Sequence, residues 1–105
     1  MATHSHPEPL WREVTGRVLR RRRHDRGERL IETAARAGVS SQYLSELERG
    51  RKDASSEVLA AVAGALDITL LDLTREAADE LSRSAVVVPF RAPAMRFRGP
   101  VALAA

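Results

Sequence analysis

The segment SSQYLSELERGRK, residues 40–52, carries the side chains of this chain that are best suited to chemistry. Its first turn offers hydroxyls, an amide and a phenol, and three cations follow near its end. These groups can form hydrogen bonds and neutralise anions, but they lack the paired base or acid that catalysis needs. Leu44 and Leu47 give the segment one apolar and one polar helical face. The residue types therefore favour binding in a groove over catalysis.

Other residue types argue against an enzyme or a metal protein. The chain has no cysteine, which excludes disulfides and thiolate metal sites and predicts a reducing, cytoplasmic location. His4 and His6 lie in a stretch without apolar period, and His24 lies among arginines, so we expect no metal ligand set and no cofactor. The sequence contains no nucleophile elbow or phosphate-binding glycine loop. It also has no signal-peptide core and no apolar run long enough for a membrane span.

Charge is distributed unevenly along these 105 residues, although the net charge is only +3. Residues 10–52 hold 12 Arg and Lys against 6 Asp and Glu, a balance of +6. Residues 53–84 hold 2 against 7, a balance of −5. A basic half beside an acidic half predicts a polyanionic partner for the first half only.

Apolar residues recur every three or four positions in five stretches, which predicts five α-helices with short connections. We expect them from Leu10 to Gly27, from about Arg29 to Ala37, from a Ser40 cap to Gly50, from a Ser55 cap to Leu66, and from Thr69 to about Ser84. Residues 10–84 thus form one all-α domain. Residues 1–9 and 85–105 lack this period, so we expect a disordered N-terminus and a flexible tail, although VVVPF in the tail could pair as an edge strand in a dimer.

The second and third predicted helices are typical of a helix-turn-helix. Small Ala34 allows the two helices to cross closely, Gly38 permits a sharp turn, and Val39 fills the angle between them. A helix fits the major groove of B-DNA, and its first turn reaches base edges. The pattern therefore indicates that the third helix recognises double-stranded DNA.

This interpretation assigns roles along the recognition segment. The expected base-reading residues are Ser41, Gln42, Tyr43, Ser45 and Glu46, and the expected phosphate contacts are Ser40, Arg49, Arg51 and Lys52. Gln42 is the strongest candidate, since a glutamine can bond adenine in two places, and Tyr43 could instead pack across the turn. Arg20 to Arg22 point in different directions on one helix and are expected to form a solvated face with at most one distant phosphate contact.

Three segments, LRRRRHDRG, LIETAARAGVSSQYLSELERGRK and SEVLAAVAGALDITLLDL, resemble the Cro/C1, or Xre-type, helix-turn-helix regulators. Within that family, WREVTGRVLRRRR, YLSELERGRKDASSEVLAA and the alanine-ended C-terminus are most similar to the actinobacterial Clp-protease gene regulators. The resemblance implies a five-helix domain like that of lambda repressor, in which Arg23 and Glu48 tie the first helix to the recognition helix. Three residues depart from the family pattern: Arg29 replaces a Ser or Thr cap, Thr33 an aliphatic residue and Asp67 a glycine helix stop.

One helix-turn-helix reads only a few base pairs, so we expect a homodimer on a palindromic operator with half-sites about 34 Å apart. The expected partner surface lies in the fifth helix and comprises Leu70, Leu71, Leu73, Ala77 and Leu81. These residues could instead close the core of the monomer.

The resemblance also implies a regulatory cycle. The chain ends with the small apolar residues that Clp unfoldases bind, Leu103, Ala104 and Ala105. The regulator would therefore activate Clp protease genes and be degraded by the protease that they encode. Alanines at a terminus could instead be an ordinary frayed end. Activation would require RNA polymerase as a partner, with Glu28 and Glu32 as candidate acidic contacts. Alternative functions are a phage-type or antitoxin-type repressor, or a protein-binding adaptor that has lost DNA binding.

Overall fold

The computed structural model describes residues 9–84, which fold into five α-helices without a β-strand in that range. The helices are α1 Trp11–Asp25, α2 Leu30–Ala37, α3 Ser41–Glu48, α4 Ser56–Ala65 and α5 Leu70–Ser84. The all-α, five-helix architecture expected from the apolar period is confirmed. No helix in this part of the chain is long and apolar enough to cross a bilayer.

All five helices contribute to one hydrophobic core. α1 packs against α3 and α5, α2 packs against α3 and α4, and α4 packs against α5. The fully buried apolar residues are Val14, Val18, Leu19, Ala34, Leu44, Leu47, Val62, Ala63, Leu66, Leu73 and Ala77. Their spacing follows the helical period, because each helix buries only the stripe that faces its neighbours.

Leu10 does not belong to the core and lies outside the first helix, although that helix was expected to begin with it. It precedes α1 in extended backbone and leaves 47% of its surface exposed. Its N–H donates to the Glu13 side chain at 2.9 Å. Because Leu10 lies outside the helix, its side chain does not follow the stripe begun by Val14.

Side chains cap three helices where the sequence predicted them. The Ser40 hydroxyl accepts from the Tyr43 N–H at 3.0 Å, and the Ser55 hydroxyl accepts from the Val58 N–H at 3.1 Å. At the start of α5, the Thr69 hydroxyl accepts from the Asp72 N–H and the Asp72 carboxylate accepts from the Thr69 N–H. These bonds satisfy N–H groups that the first helical turn leaves without a partner.

Gly16 lets α1 approach α3 closely, a feature that sequence reasoning missed. A Cβ built on Gly16 would overlap the carbonyl oxygens of Leu47 and Glu48 and would lie 2.8 Å from the second of these. Since both contacts are backbone atoms, no rotamer change could make room. The contact fixes the distance between α1 and the last turn of α3.

Ion pairs join α1 to α5, and they correct the expected solvated face at Arg21 and Arg22. Arg21 donates to Glu80 at 2.6 Å, Arg22 bonds Glu76, and Arg17 bonds Glu80 at 3.2 Å. The hydrogen bonds from Arg22 lower the pKa of Glu76, and those from Arg21 lower the pKa of Glu80. The acidic second half of the chain therefore partly neutralises the basic run internally.

Glu28 is the centre of a second polar network. Its carboxylate accepts from Arg36 at 2.7 Å, from the buried Thr33 hydroxyl at 2.6 Å and from Arg26 at 3.1 Å. Arg26 also bonds Asp67 at 2.7 Å. Thr33 and Asp67, two of the departures from the family pattern, thus belong to the same network, which joins the α1–α2 turn to the end of α4.

This network predicts an acid-sensitive contribution to stability. Hydrogen bonds from Arg36 and Thr33 lower the pKa of Glu28 from 4.5 to about 2. A carboxyl whose pKa is lower in the folded chain stabilises it above pH 4.5, and this contribution disappears as pH falls toward 2. We expect Glu28→Gln to reduce the fall in thermal midpoint between pH 4.5 and pH 2, as measured by circular dichroism. Asp79→Asn removes an exposed carboxyl from α5 as the control, and identical pH slopes for both variants would contradict the assignment.

Candidate nucleic-acid interface

Two short helices meet at a sharp turn and present α3 at the surface. α2 ends where Gly38 adopts a left-handed backbone with φ of 77°, a conformation that glycine adopts without strain. Val39 is half-buried against the core, and Ser40 then caps α3. Leu44, Leu47 and Glu48 are buried on the inner side of α3, so its other residues form the outer face.

The outer face of α3 carries the residues expected to read bases. Gln42 is exposed, and Ser41, Ser45 and Glu46 are half-buried at its sides. The amide of Gln42 forms no hydrogen bond to any residue in the range 9–84, so its donor and acceptor groups are available to a ligand. Glu46 is less available, because Lys52 lies 3.7 Å from its carboxylate.

Tyr43 contributes to packing as well as to the surface. Its side chain is half-buried and lies against the hydrophobic core. The two interpretations of this residue, base contact and packing across the turn, therefore both remain compatible with its position.

Cations follow α3 at the point where the chain turns toward α4. Arg49 and Arg51 are exposed and form no ion pair with another described residue, whereas Lys52 pairs with Glu46. Ser40 uses its hydroxyl oxygen to cap α3, which leaves its hydroxyl proton for a phosphate. The cations lie directly after the C-terminal end of α3, where they are available to a phosphate strand beside the groove.

A buried ion pair joins α3 to α1. Arg23 donates to both carboxylate oxygens of Glu48, at 2.8 and 2.9 Å, and only 11% and 5% of the two side chains are exposed. Arg23 also donates to the Glu28 carbonyl at 2.9 Å. The hydrogen bonds to Glu48 raise the pKa of Arg23, so the guanidinium stays charged. This bidentate contact fixes the rotation of α3 relative to the core.

A second contact between α1 and the end of α3 involves Arg12, which sequence reasoning missed. Arg12 donates to the Gly50 carbonyl at 2.9 Å and lies 3.7 Å from Asp53. Only the basic side chain in the first turn of α1 could have suggested it, since 38 residues separate the two partners. Arg12 therefore restrains the loop that carries Arg51 and Lys52.

The residues expected to form a dimer surface do not share one face. Leu73 and Ala77 are fully buried in the core of the monomer, so their assignment to a partner surface is wrong. They lie on the α5 stripe that faces α1 and α4. Leu70 and Leu81 are half-buried against the same core, and only Leu71 is strongly exposed, at 57%.

The two acidic residues expected to contact RNA polymerase, Glu28 and Glu32, differ in exposure. Glu28 is enclosed by its arginine partners and is a poor acidic contact for another protein, whereas Glu32 stays partly exposed while it accepts from the Arg29 N–H.

Leu103, Ala104 and Ala105 lie outside the described residues, as do the VVVPF segment and residues 1–8. Within the described range, no group of three or more His, Asp or Glu side chains could hold a metal ion.

Comparison with known proteins places this arrangement in the helix-turn-helix family. Residues 19–73 match the helix-turn-helix family model. The transcriptional regulator ClgR of Mycobacterium tuberculosis is 46% identical over 74 residues, which cover 70% of this chain and 66% of the relative. The chain thus spans slightly less than two thirds of the length of that curated relative.

Solved structures agree with this similarity. The crystal structure of the clp gene regulator ClgR from Corynebacterium glutamicum has a TM-score of 0.70 and 51% identity, and the match covers 73% of this chain and 82% of that one. The restriction-modification controller protein C.AhdI from Aeromonas hydrophila has a TM-score of 0.57 and 29% identity, and the match covers 59% of this chain and 94% of that one.

Proposed function

Because this chain belongs to the helix-turn-helix family of the Xre, or Cro/C1, type, we propose that it is a sequence-specific DNA-binding transcriptional regulator. The observation that carries the proposal is the exposed polar face of α3 around Gln42, directly followed by the exposed cations Arg49 and Arg51. The Arg23–Glu48 pair holds that face at a fixed angle to the core. In this function α3 enters the major groove, its first turn reads bases, and the cations bind the phosphates on one side.

The sharpest test of base reading is Gln42→Ala. A bidentate glutamine–adenine contact contributes about 1–3 kcal/mol of discrimination, so we expect affinity for the preferred site to fall by a factor of about 5 to 150. Affinity for unrelated duplex should hardly change, because phosphate contacts supply nonspecific binding. The preferred site is first selected from a random duplex pool, and affinity is then measured by fluorescence anisotropy.

Ser56→Ala is the control for this test, since Ser56 is an exposed polar residue on α4. It should bind the selected site as the unaltered chain does. If the pool yields no preferred site and binding is insensitive to salt, the proposed function is contradicted, and the protein-binding adaptor is the alternative to test next.

We assign the chain a homodimeric state on a palindromic operator, with half-sites about 34 Å apart. The support is Leu71, a large apolar side chain that the monomer leaves exposed on α5 between the half-buried Leu70 and the core residue Leu73. An exposed leucine of this kind is a candidate anchor for a partner copy.

The dimer assignment predicts that Leu71→Glu shifts the chain from dimer to monomer, because a charge would have to be buried at the interface. Sedimentation velocity measures the change, and Ala60→Glu, on the exposed face of α4, adds the same charge as the control. A chain that sediments as a monomer both free and on operator DNA would contradict a dimer of any geometry.

We propose activation of Clp protease genes as the regulatory role, and the similarity to the clp gene regulator ClgR of Corynebacterium glutamicum supports clp genes as the targets. In that role Glu32, rather than Glu28, is the acidic residue available to RNA polymerase. A phage-type or antitoxin-type repressor uses the same DNA-binding face, so mapping of bound chromosomal sites together with transcript changes separates the two roles.

Cellular degradation through Leu103, Ala104 and Ala105 is tested by replacing both alanines with Asp. A longer cellular half-life supports Clp recognition, and an unchanged half-life argues against it.

A further inference from the structure

A polar pocket of about 210 Å³ lies beside α3, between its second half, the end of α1 and the start of α2. Its lining residues are Arg20, Arg23, Leu30, Ser45, Glu48 and Arg49. A water molecule occupies about 30 Å³ in the liquid, so the pocket has room for a small tetrahedral anion together with several waters.

The charges around this pocket favour an anion. Three guanidinium groups face one carboxylate, and both oxygens of that carboxylate already accept hydrogen bonds from Arg23. Arg20 and Arg49 are exposed and have no ion-pair partner within residues 9–84. Two uncompensated cations at one pocket repel each other unless an anion lies between them.

Arg20 differs from the other arginines of its run. Arg21 and Arg22 are bound by carboxylates of α5, and Arg23 is bound by Glu48. Of these four consecutive arginines, Arg20 and Arg23 line the pocket. Arg23 is paired with Glu48, so Arg20 is the one whose charge is available to an anion.

We propose that this pocket binds a phosphate group, with Arg20 and Arg49 supplying the positive charge and Ser45 a hydroxyl hydrogen bond. The phosphate comes from the DNA backbone or from a free inorganic anion, and the two sources share this chemistry. In the first case the inference rests on the proposed function and adds Arg20 as a phosphate contact beside the recognition helix. Such a contact would make the end of α1 part of the DNA-binding surface.

The DNA source is tested by Arg20→Ala in a salt series with operator duplex. Loss of one phosphate contact should reduce the slope of log affinity against log salt by about 0.9 and lower affinity about threefold to tenfold at 150 mM salt, for selected and unrelated sequences alike. Arg83→Ala is the matched control, since Arg83 is exposed on α5, which contributes no residue to the pocket. Arg20→Gln provides a second variant if the alanine variant alters the thermal midpoint.

The free-anion source is tested by titrating the full chain with inorganic pyrophosphate while the Nε–Hε signals of its arginines are followed by NMR. Saturable shifts of Arg20 and Arg49, together with loss of the Arg49 shift in Arg20→Ala, assign the pocket to a free phosphate. A reduced slope of log affinity against log salt in Arg20→Ala, without these NMR shifts, assigns the pocket to a phosphate of the DNA backbone.

If Arg20→Ala matches Arg83→Ala in the salt series and pyrophosphate produces no saturable shift, the pocket does not bind phosphate and the proposal is overturned. That result would leave the proposed function intact, because Gln42→Ala reports base discrimination independently of this pocket. Conversely, pyrophosphate binding in a chain that selects no DNA site would support the pocket while the proposed function fails.

Discussion

Glu48→Ala is expected to cost about 3–5 kcal/mol of the free energy of unfolding, because it leaves the Arg23 guanidinium buried without its counter-ion. The bidentate bonds of 2.8 and 2.9 Å and the small exposed fraction of both side chains place this pair in the buried class, where loss of one partner is strongly destabilising. Small domains are stable by only about 5–15 kcal/mol, so the variant should be partly unfolded at moderate temperature.

Removing both charges should have a different result. Replacement of a buried ion pair by apolar residues of similar volume is often neutral or stabilising, so Arg23→Met combined with Glu48→Leu should recover most of the lost stability. The recovery of stability will be incomplete, because the Glu28 carbonyl also loses the hydrogen bond that Arg23 donates to it. Urea unfolding followed by circular dichroism at constant pH compares both variants with the unaltered chain.

A loss below about 1 kcal/mol in Glu48→Ala would mean that the pair behaves as a solvated surface ion pair. The double variant also separates stability from orientation. If it folds well but binds the selected DNA site less tightly than the unaltered chain, the ion pair serves to orient α3 more than to stabilise the domain.

Gly16→Ala is expected to destabilise the domain by about 1–3 kcal/mol, because its Cβ would overlap the backbone carbonyls of Leu47 and Glu48. The overlap can be relieved only if α1 moves away from α3, which would also strain the Arg23–Glu48 bonds. Alanine is the better helix former, so intrinsic propensity predicts the opposite sign.

Gly64→Ala isolates that propensity effect. Gly64 lies within α4, and a Cβ built there meets no atom within 4 Å. We expect this variant to stabilise the chain by about 0.5–1 kcal/mol, the ordinary gain from replacing a helical glycine. Opposite signs for the two variants in the same urea experiment confirm that close approach of α1 and α3, rather than helix propensity, governs position 16; equal signs contradict it.

Local signals in the sequence determined most of the fold. The apolar period predicted five helices, and the hydroxyls of Ser40, Ser55 and Thr69 marked three helix starts that the structure confirms. These signals are reliable because a cap bonds an N–H two or three residues away and a helical stripe repeats within one turn or two. The polar face around Gln42 followed from the same period, since the burial of Leu44 and Leu47 leaves it outside.

Contacts between distant residues were decided only by the tertiary structure. Arg22 and Glu76 are 54 residues apart, and nothing in the run of four arginines indicates which member meets α5, which meets Glu48 and which stays available. The apolar stripe of α5 is equally ambiguous, because a leucine or alanine can fill the monomer core or face a partner until the neighbouring helices are placed. Local spacing fixes which face of a helix a side chain occupies, but only the packing of α1, α3 and α5 fixes what that face meets.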